Sequence, residues 1–288
     1  MSLRFEETKL DSKAIWKVPT LIGFNERPVG QKPLPVVCII DTETTGLDTA
    51  TDEVIELGYL LIEYDHKTGL FYDVVKKFNE FQEPSKPLDP EITRITGITD
   101  EMVEGKTINW DEVAADVRKA RLLVAHNAQF DRKMLERSHD VFKDSHWACS
   151  VNDIDWSAEG EKGRSQEWLV YKLAEGYYDA HRAVDDVNAL AFLLSHRSVT
   201  SSETYFNKLL ETARKDQYII RALGSTFSEK DDLKKMGCRW DGDGKVWWIK
   251  ASDEDRDQVE QQMREAAPNS VPQVKKINAQ DRYSVRDV

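Results

Sequence analysis

The chain has few cysteines and no long apolar run. Its three cysteines, Cys38, Cys149 and Cys238, are far apart and lack the paired spacing of a zinc site. Scattered cysteines in odd number are typical of reduced thiols, so a disulfide framework is not expected. No stretch approaches the roughly 20 apolar residues of a membrane span, and the charged N-terminus does not have the pattern of a signal peptide. These absences predict a cytoplasmic protein that makes no membrane contact.

Basic residues are also scarce relative to acidic ones. The chain carries 40 lysines and arginines against 52 aspartates and glutamates, a formal net charge of −12. Because phosphate binding depends on basic side chains, this balance excludes a broad electrostatic grip on nucleic acid. Any contact with nucleic acid should be local, and metal ions should supply much of the positive charge.

The length and apolar content favour one large core with a second small domain. The 288 residues are 40% hydrophobic, which is enough for both. Changes in texture predict five segments: an N-terminal arm over 1–34, a main domain over 35–198, a linker over 199–216, a small α+β domain over 217–267 and a disordered tail over 268–288.

A buried strand followed by two acids is the most informative stretch. Val36 to Ile40 are apolar and mostly β-branched, and Asp41 and Glu43 follow at the strand end. Residues two apart in a strand point to the same face, so both carboxylates face the same way. Hard oxygen ligands favour Mg²⁺ or Mn²⁺, although a solvated strand end would have the same sequence.

Two later segments place an acid in a similar position. Residues 121–127 read as another buried strand, and Asp131 lies in the first turn of the helix that follows, where a capping acid is equally expected. In the second of these segments, Asp185 or Asp186 opens an amphipathic helix just after His181. By contrast, Glu56, within the second predicted strand, is expected to face solvent.

The order and wording of these motifs resemble the DEDDh branch of 3′–5′ exonucleases, a DnaQ-like and exonuclease X-like group within the ribonuclease T superfamily. The matching segments are DTETTGL at 41–47, HNAQFD at 126–131, and a histidine and an aspartate five residues apart at His181 and Asp186. A further segment, ITGIT at 95–99, is similar, but Thr96 stands where the family often has a histidine.

This resemblance implies a ribonuclease H-like fold, a mixed β-sheet flanked by helices, with the small α+β domain appended. It implies two Mg²⁺ or Mn²⁺ ions held by Asp41, Glu43, Asp131 and Asp186. His181 would be the general base, since an imidazole can accept a proton near neutral pH. The residues implied to contact substrate are Thr42, Thr44, Leu47, His126, Asn127 and Phe130. The implied substrate is the 3′ end of DNA, preferentially single-stranded, with RNA and short oligonucleotides as alternatives.

Three other functions share parts of this pattern. A phosphatase with an Asp-x-Asp-x-Thr motif would need an aspartate at Glu43, and a ribonuclease H-like endonuclease would not need His181. A degenerate module that binds nucleic-acid ends without cutting would have lost an acid or the histidine. In the small domain, Trp240, Trp247 and Trp248 either stack bases or belong to the core.

Overall fold

The structure, a computed structural model, describes residues 7–10, 13–18, 24–27, 33–242 and 244–285. The chain forms two compact units, Met1–Thr212 and Ala213–Val288. In the described part of the chain no helix is long and apolar enough to span a bilayer. All three cysteines are free and buried.

The first unit contains eight described strands and eight described helices, the last of which ends in the second unit. The strands are β1 (Glu7–Leu10), β2 (Lys13–Lys17), β3 (Val36–Thr44), β4 (Val54–Tyr64), β5 (Phe71–Phe81), β6 (Ala120–Ala125), β7 (Trp147–Cys149) and β8 (Gly176–Tyr177). The helices are α1 (Pro90–Thr96), α2 (Asp100–Val103), α3 (Trp110–Val117), α4 (Ala128–Ser138), α5 (Val141–Asp144), α6 (Gln166–Leu173), α7 (Ala183–Ser195) and α8 (Tyr205–Arg214).

A five-stranded mixed sheet in the order β5-β4-β3-β6-β7 forms the centre of the first unit. Strand β3 lies in the middle, antiparallel to β4 and parallel to β6. Its residues 37–40 have no solvent exposure, which explains why they form an unbroken apolar run rather than an alternating one. Helix α7 packs against β3 and β4, and α3 and α4 pack against β6. This is the predicted architecture.

A glycine lets α7 approach the sheet closely. Gly58 lies on β4 directly opposite Asp41. A Cβ atom at Gly58 would lie 2.7 Å from the carbonyl carbon of Ala183 and 2.8 Å from the amide nitrogen of Val184. These distances are well inside van der Waals contact, so only glycine permits this approach. The start of α7 is thereby brought beside the end of β3.

The described part of the N-terminal arm contacts the rest of the first unit at several places. Strand β2 pairs in parallel with β8, and the ring of Phe24 lies edge-on to that of Phe71 with 5.1 Å between centroids. Residues 28–32 of the predicted arm lie outside the described residues.

Helix α8 occupies most of the predicted linker over 199–216. Its apolar residues recur at helical spacing, and Tyr205, Phe206, Leu209 and Leu210 are buried. The carboxylate of Glu159 holds the start of this segment: it accepts hydrogen bonds from the side chains of Ser198, Thr200, Tyr205 and Lys208. The segment therefore belongs largely to the first core.

The second unit is an antiparallel sheet with helices on one side. Its elements are β9 (Gln217–Leu223), a 3₁₀ turn (Phe227–Glu229), α9 (Lys230–Lys235), β10 (Arg239–Asp241), β11 (Val246–Ser252), α10 (Arg256–Ala266) and β12 (Val271–Ile277). The strand order is β10-β11-β9-β12.

The expectation of a disordered tail over 268–288 is wrong for its described part, residues 268–285. Strand β12 pairs with β9 along all seven of its residues, and Tyr283 is buried. The strand has no apolar pattern that would predict it, because most of its side chains are exposed. It is a polar edge strand containing a proline, which is where a sheet tolerates one.

Candidate active site

The two carboxylates of the first motif lie at the end of β3. Asp41 is opposite Gly58 and Glu43 is opposite Glu56 in the antiparallel pairing with β4, so the two side chains share one face, as predicted. The register shifts after Glu43, and the chain turns away there. Both carboxylates are half-buried.

Helix α7 brings Asp186 to the same place. Its Oδ2 accepts hydrogen bonds from the backbone amides of His181 and Arg182 at 2.9 and 3.2 Å. Asp186 therefore caps the start of its own helix as well as facing the strand acids. Of the adjacent pair Asp185 and Asp186, it is Asp186 that joins the cluster, as predicted.

Asp41, Glu43 and Asp186 form a group that fits a divalent cation. One carboxylate oxygen from each lies within 4.8 Å of the others. Burial, followed by the charges of Asp131, Asp186 and Glu43, holds the pKa of Asp41 well above its usual range. Burial and Asp186 raise the pKa of Glu43 to about 8. Repelling carboxylates of this kind are stabilised by a cation between them, and an all-oxygen donor set suits Mg²⁺ or Mn²⁺.

Asp131 lies next to this group without belonging to it. It is buried, in the first turn of α4, and its Oδ1 accepts hydrogen bonds from both the amide and the hydroxyl of Thr42 at 3.1 and 2.9 Å. Burial raises its pKa to about 7. The left-handed backbone of Asn127, with φ 74°, makes the sharp turn from β6 into α4 that places it there. Thr42 thus positions a fourth acid beside Asp41.

His181 lies at the rim of the cluster. It is exposed, and its backbone is left-handed with φ 69°. Burial raises the pKa of Asp186 to about 6, although hydrogen bonds from Tyr178 and from the amides of Arg182 and His181 act to lower it. A left-handed non-glycine residue is uncommon and is often found at functional sites.

Sequence reasoning missed a buried ion pair next to the acids. Glu56 has no solvent exposure, so its expected place facing solvent is wrong. It accepts from Nη2 and Nε of Arg182 at 3.0 and 3.2 Å, from the amide of Ala183 at 3.1 Å and from Asn79 at 2.9 Å. An acid in the middle of the apolar strand was the available signal, because such a residue is buried only when it is paired. Since Arg182 follows His181, this pair fixes the backbone of the histidine.

Two polar side chains that sequence reasoning also missed hold Asp186. The hydroxyl of Tyr178 donates to its Oδ1 at 2.9 Å, and the amide of Gln166 donates to the same oxygen at 3.1 Å. Nothing in the sequence marked either residue, because neither belongs to a motif.

The residues predicted to contact substrate lie in different environments. Thr44 is buried and donates to the carbonyl of Gly46. Leu47 has 86% of its side chain exposed, Asn127 is exposed, and Phe130 is half-buried. The ring nitrogens of His126 lie 2.7 Å from Ser150 Oγ and 2.8 Å from the Arg164 carbonyl, and burial lowers its pKa to about 4. Neutral His126 is thus held within the protein, and its substrate contact stays a prediction.

Comparison with known proteins shows the family. Residues 38–194 match the RNase T family, described as exonuclease, so this chain belongs to that family and contains an exonuclease domain. The class predicted from the three motifs is confirmed. Residues 223–263 match a domain of unknown function, DUF5710.

Curated relatives agree. A PolC-type DNA polymerase III of Thermotoga maritima is 30% identical over 168 residues, covering 53% of this chain and 11% of the polymerase. The DNA polymerase III epsilon subunit of Treponema pallidum is 31% identical over 155 residues, covering 51% of this chain and 68% of the subunit. The chain spans about a tenth of the length of the PolC-type relatives.

A solved structure of exonuclease I shares the fold. A zinc-bound E. coli exonuclease I complex with single-stranded DNA has a TM-score of 0.52 at 14% identity, covering 81% of this chain and 70% of that one. Exonuclease X in complex with 5′ overhanging duplex DNA has a TM-score of 0.44 at 25% identity, covering 61% of this chain and 98% of that one.

Proposed function

We propose that this chain is a metal-dependent 3′–5′ exonuclease that removes nucleoside 5′-monophosphates from the 3′ end of DNA, preferentially single-stranded. RNA and short oligonucleotides are alternative substrates. The observation that carries the proposal is the convergence of Asp41, Glu43 and Asp186 within 4.8 Å, with Asp131 and His181 beside them.

The acids divide the binding of two cations between them. Asp41, Glu43 and Asp186 would hold the first Mg²⁺ or Mn²⁺, and Asp41 with Asp131 would hold the second. When bound, such ions activate water and stabilise charge on the phosphate and the leaving oxygen. Asp186 serves two purposes, since its Oδ2 also accepts from the His181 amide.

His181 takes the proton from the attacking water. Its exposed imidazole is accessible to water at the site, and a histidine can accept a proton near neutral pH. Its backbone is held from two sides, by Asp186 and by the Glu56–Arg182 pair. The side chain therefore approaches the reacting water from a fixed backbone, which is the condition for efficient proton transfer.

Thr42, Thr44, Leu47, His126, Asn127 and Phe130 remain the proposed substrate contacts. Leu47 and Asn127 are exposed, so both are accessible to substrate. Hydrogen bonds to α4 hold the loop that contains Leu47. Arg137 donates to the loop carbonyls of Thr49 and Asp52 at 2.9 and 2.8 Å. A rigid loop can present an apolar side chain to the terminal nucleotide at little entropic cost.

Digestion of end-labelled oligonucleotides tests the proposal. With Mg²⁺, a 3′-labelled strand should release labelled mononucleotide at once, and a 5′-labelled strand should shorten step by step. Asp41→Asn should lower the rate by about a thousandfold or more, because it removes a metal ligand. The matched control is Asp73→Asn on the exposed side of β5, which should cleave as the unchanged protein does.

Two outcomes would refute the proposal. Internal fragments from a 5′-labelled strand would show an endonuclease. A folded protein that binds oligonucleotide but releases nothing with either metal would show an end-binding module. Matched DNA and RNA strands in the same assay decide the preferred polymer.

A further inference from the structure

The sheet of the second unit has two unlike faces. One face packs on the helices through Ile220 and Ala222 on β9 and Trp247 and Ile249 on β11, which share a core with Leu233. Alternate residues on the same strands therefore point to the other face, and no helix of this unit packs there among the residues that the structure describes.

Four residues form one row straight across this second face. Strand pairing places Arg239 opposite Trp248, Trp248 opposite Arg221, and Arg221 opposite Gln273. Each pair comes from neighbouring strands, so the four side chains lie side by side. We call this set (Arg239, Trp248, Arg221 and Gln273) the open-face row.

The open-face row is accessible at both ends and partly in the middle. Arg239 and Gln273 are exposed, while Trp248 and Arg221 are half-buried. On one side of the row, Leu223 and Val271 are 40% and 66% exposed. On the other side the C-terminal segment covers the sheet, with Lys250 Nζ 5.5 Å from the ring centre of Tyr283. The open-face row thus has an exposed apolar surface on one side and the C-terminal segment on the other.

The charges of the open-face row are suited to an anion. The guanidinium of Arg239 lies 5.9 Å from the ring centre of Trp248. On the other side of the same ring, Nε of Arg221 is buried and has no hydrogen-bond partner within the described residues. A buried donor left without an acceptor costs free energy, so a phosphate oxygen in this position would be stabilising. One acid, Asp241, lies on the same face at its edge, where it accepts from the turn amide of Gly244.

We propose that the open-face row is a binding site for single-stranded nucleic acid, with a base stacked on Trp248 and the phosphate backbone bound by Arg221 and Arg239. An aromatic ring between cations is the arrangement that binds single strands without sequence preference. The chain as a whole has a formal net charge of −12, whereas residues 213–288 contain about as many basic as acidic residues. A local cationic site on this unit would thus supply the electrostatic attraction for phosphate that the acidic chain as a whole lacks.

Fluorescence anisotropy of the full-length protein tests this site. The probes are fluorescein-labelled oligo(dT) and oligo(rU) of about 20 nucleotides, with EDTA present to block cleavage. Trp248→Leu should weaken binding about tenfold, and Trp248→Phe, which keeps an aromatic ring, should restore most of it. The matched control is Trp240→Leu: Trp240 is also exposed, at 51%, but lies on the helix-packed face against Trp247.

The salt dependence of binding tests the arginines. Arg221→Gln should flatten the slope of log K against log salt by about 0.7, the value for one phosphate contact to a single strand. Lys235→Gln is the control, because Lys235 lies on α9 and pairs with Asp232. A merely structural role for Arg221 would not change this slope.

Unchanged affinity and salt slope for both polymers in folded Trp248→Leu and Arg221→Gln proteins would overturn the proposal and assign the face to a protein contact. Thermal melting checks that each variant is folded. Because the chelator prevents cleavage, this result is independent of the proposed exonuclease function.

Discussion

Replacing Gly58 with alanine should damage the active site without touching any acid. The new Cβ would lie 2.7, 2.8 and 2.9 Å from backbone atoms of Ala183 and Val184. Carbon atoms in contact prefer about 3.5–4.0 Å, so the start of α7 must retreat by roughly 1 Å. Because these atoms are backbone, no side-chain rotation can relieve the clash.

The retreat would carry Asp186 and His181 away from Asp41 and Glu43. A displacement of about 1 Å can lower a catalytic rate by about a hundredfold, and overpacking of this kind costs about 1–3 kcal/mol of unfolding free energy. We therefore expect Gly58→Ala to lower kcat by about two orders of magnitude while the protein stays folded at 25 °C.

The assay is Mg²⁺-dependent release of mononucleotide, measured with urea unfolding of the same preparations. Gly242→Ala is the matched control, since a Cβ there would meet nothing within 4 Å. Full activity of Gly58→Ala at unchanged stability would refute the reasoning, because it would show that the close approach of α7 does not position the acids.

Three further predictions concern the same site. His181→Ala should lower kcat by about 10²–10⁴-fold, the usual contribution of a general base, while Mg²⁺ binding measured by calorimetry persists; His66→Ala, at an exposed loop position, should have no effect, and an active His181→Ala enzyme would remove His181 from the mechanism. Glu56→Gln should lower the free energy of unfolding by about 1–3 kcal/mol in urea. It should also lower kcat, because Arg182 then no longer holds the backbone of His181. A loss of stability with unchanged kcat would make the Glu56–Arg182 pair purely structural. Burial and repulsion raise the pKa of Glu43 to about 8 and that of Asp131 to about 7. The metal-free folded state therefore keeps protons on these carboxylates that the unfolded chain loses near pH 4. Because the folded state binds more protons, the free energy of unfolding falls as the pH rises from about 4 to about 8. Mg²⁺ should therefore raise Tm more at pH 8 than at pH 5, and equal increments would contradict this.

The sequence predicted the central strand and the acids around it because each has a local cause. Val37 to Ile40 are apolar without interruption, and Asp41 and Glu43 follow at period two. These patterns depend only on neighbours along the chain, and three such patterns in family order placed Asp131, His181 and Asp186 as well.

What the sequence could not give depends on contacts between distant residues. Glu56 was misplaced because its partner Arg182 is 126 positions away. Strand β12 was missed because it is stabilised by backbone hydrogen bonds to β9 rather than by an apolar face of its own. Helix α8 lies within the predicted linker although its apolar residues recur at helical spacing in the sequence. Glu159, which accepts a hydrogen bond from Lys208 of this helix, is 49 positions away.

The close packing of α7 on β4 has a consequence for the synthesis of the chain. Asp41 and Glu43 are synthesised before the carboxylate that completes their group, because that carboxylate belongs to a helix well over a hundred residues further along the chain. Until that helix packs over Gly58, a nascent chain has only two of the three carboxylates of this group. On the proposed mechanism, nuclease activity would be acquired only after that helix docks, and a ribosome stalled before residue 186 would carry a chain unable to cut the nucleic acid around it.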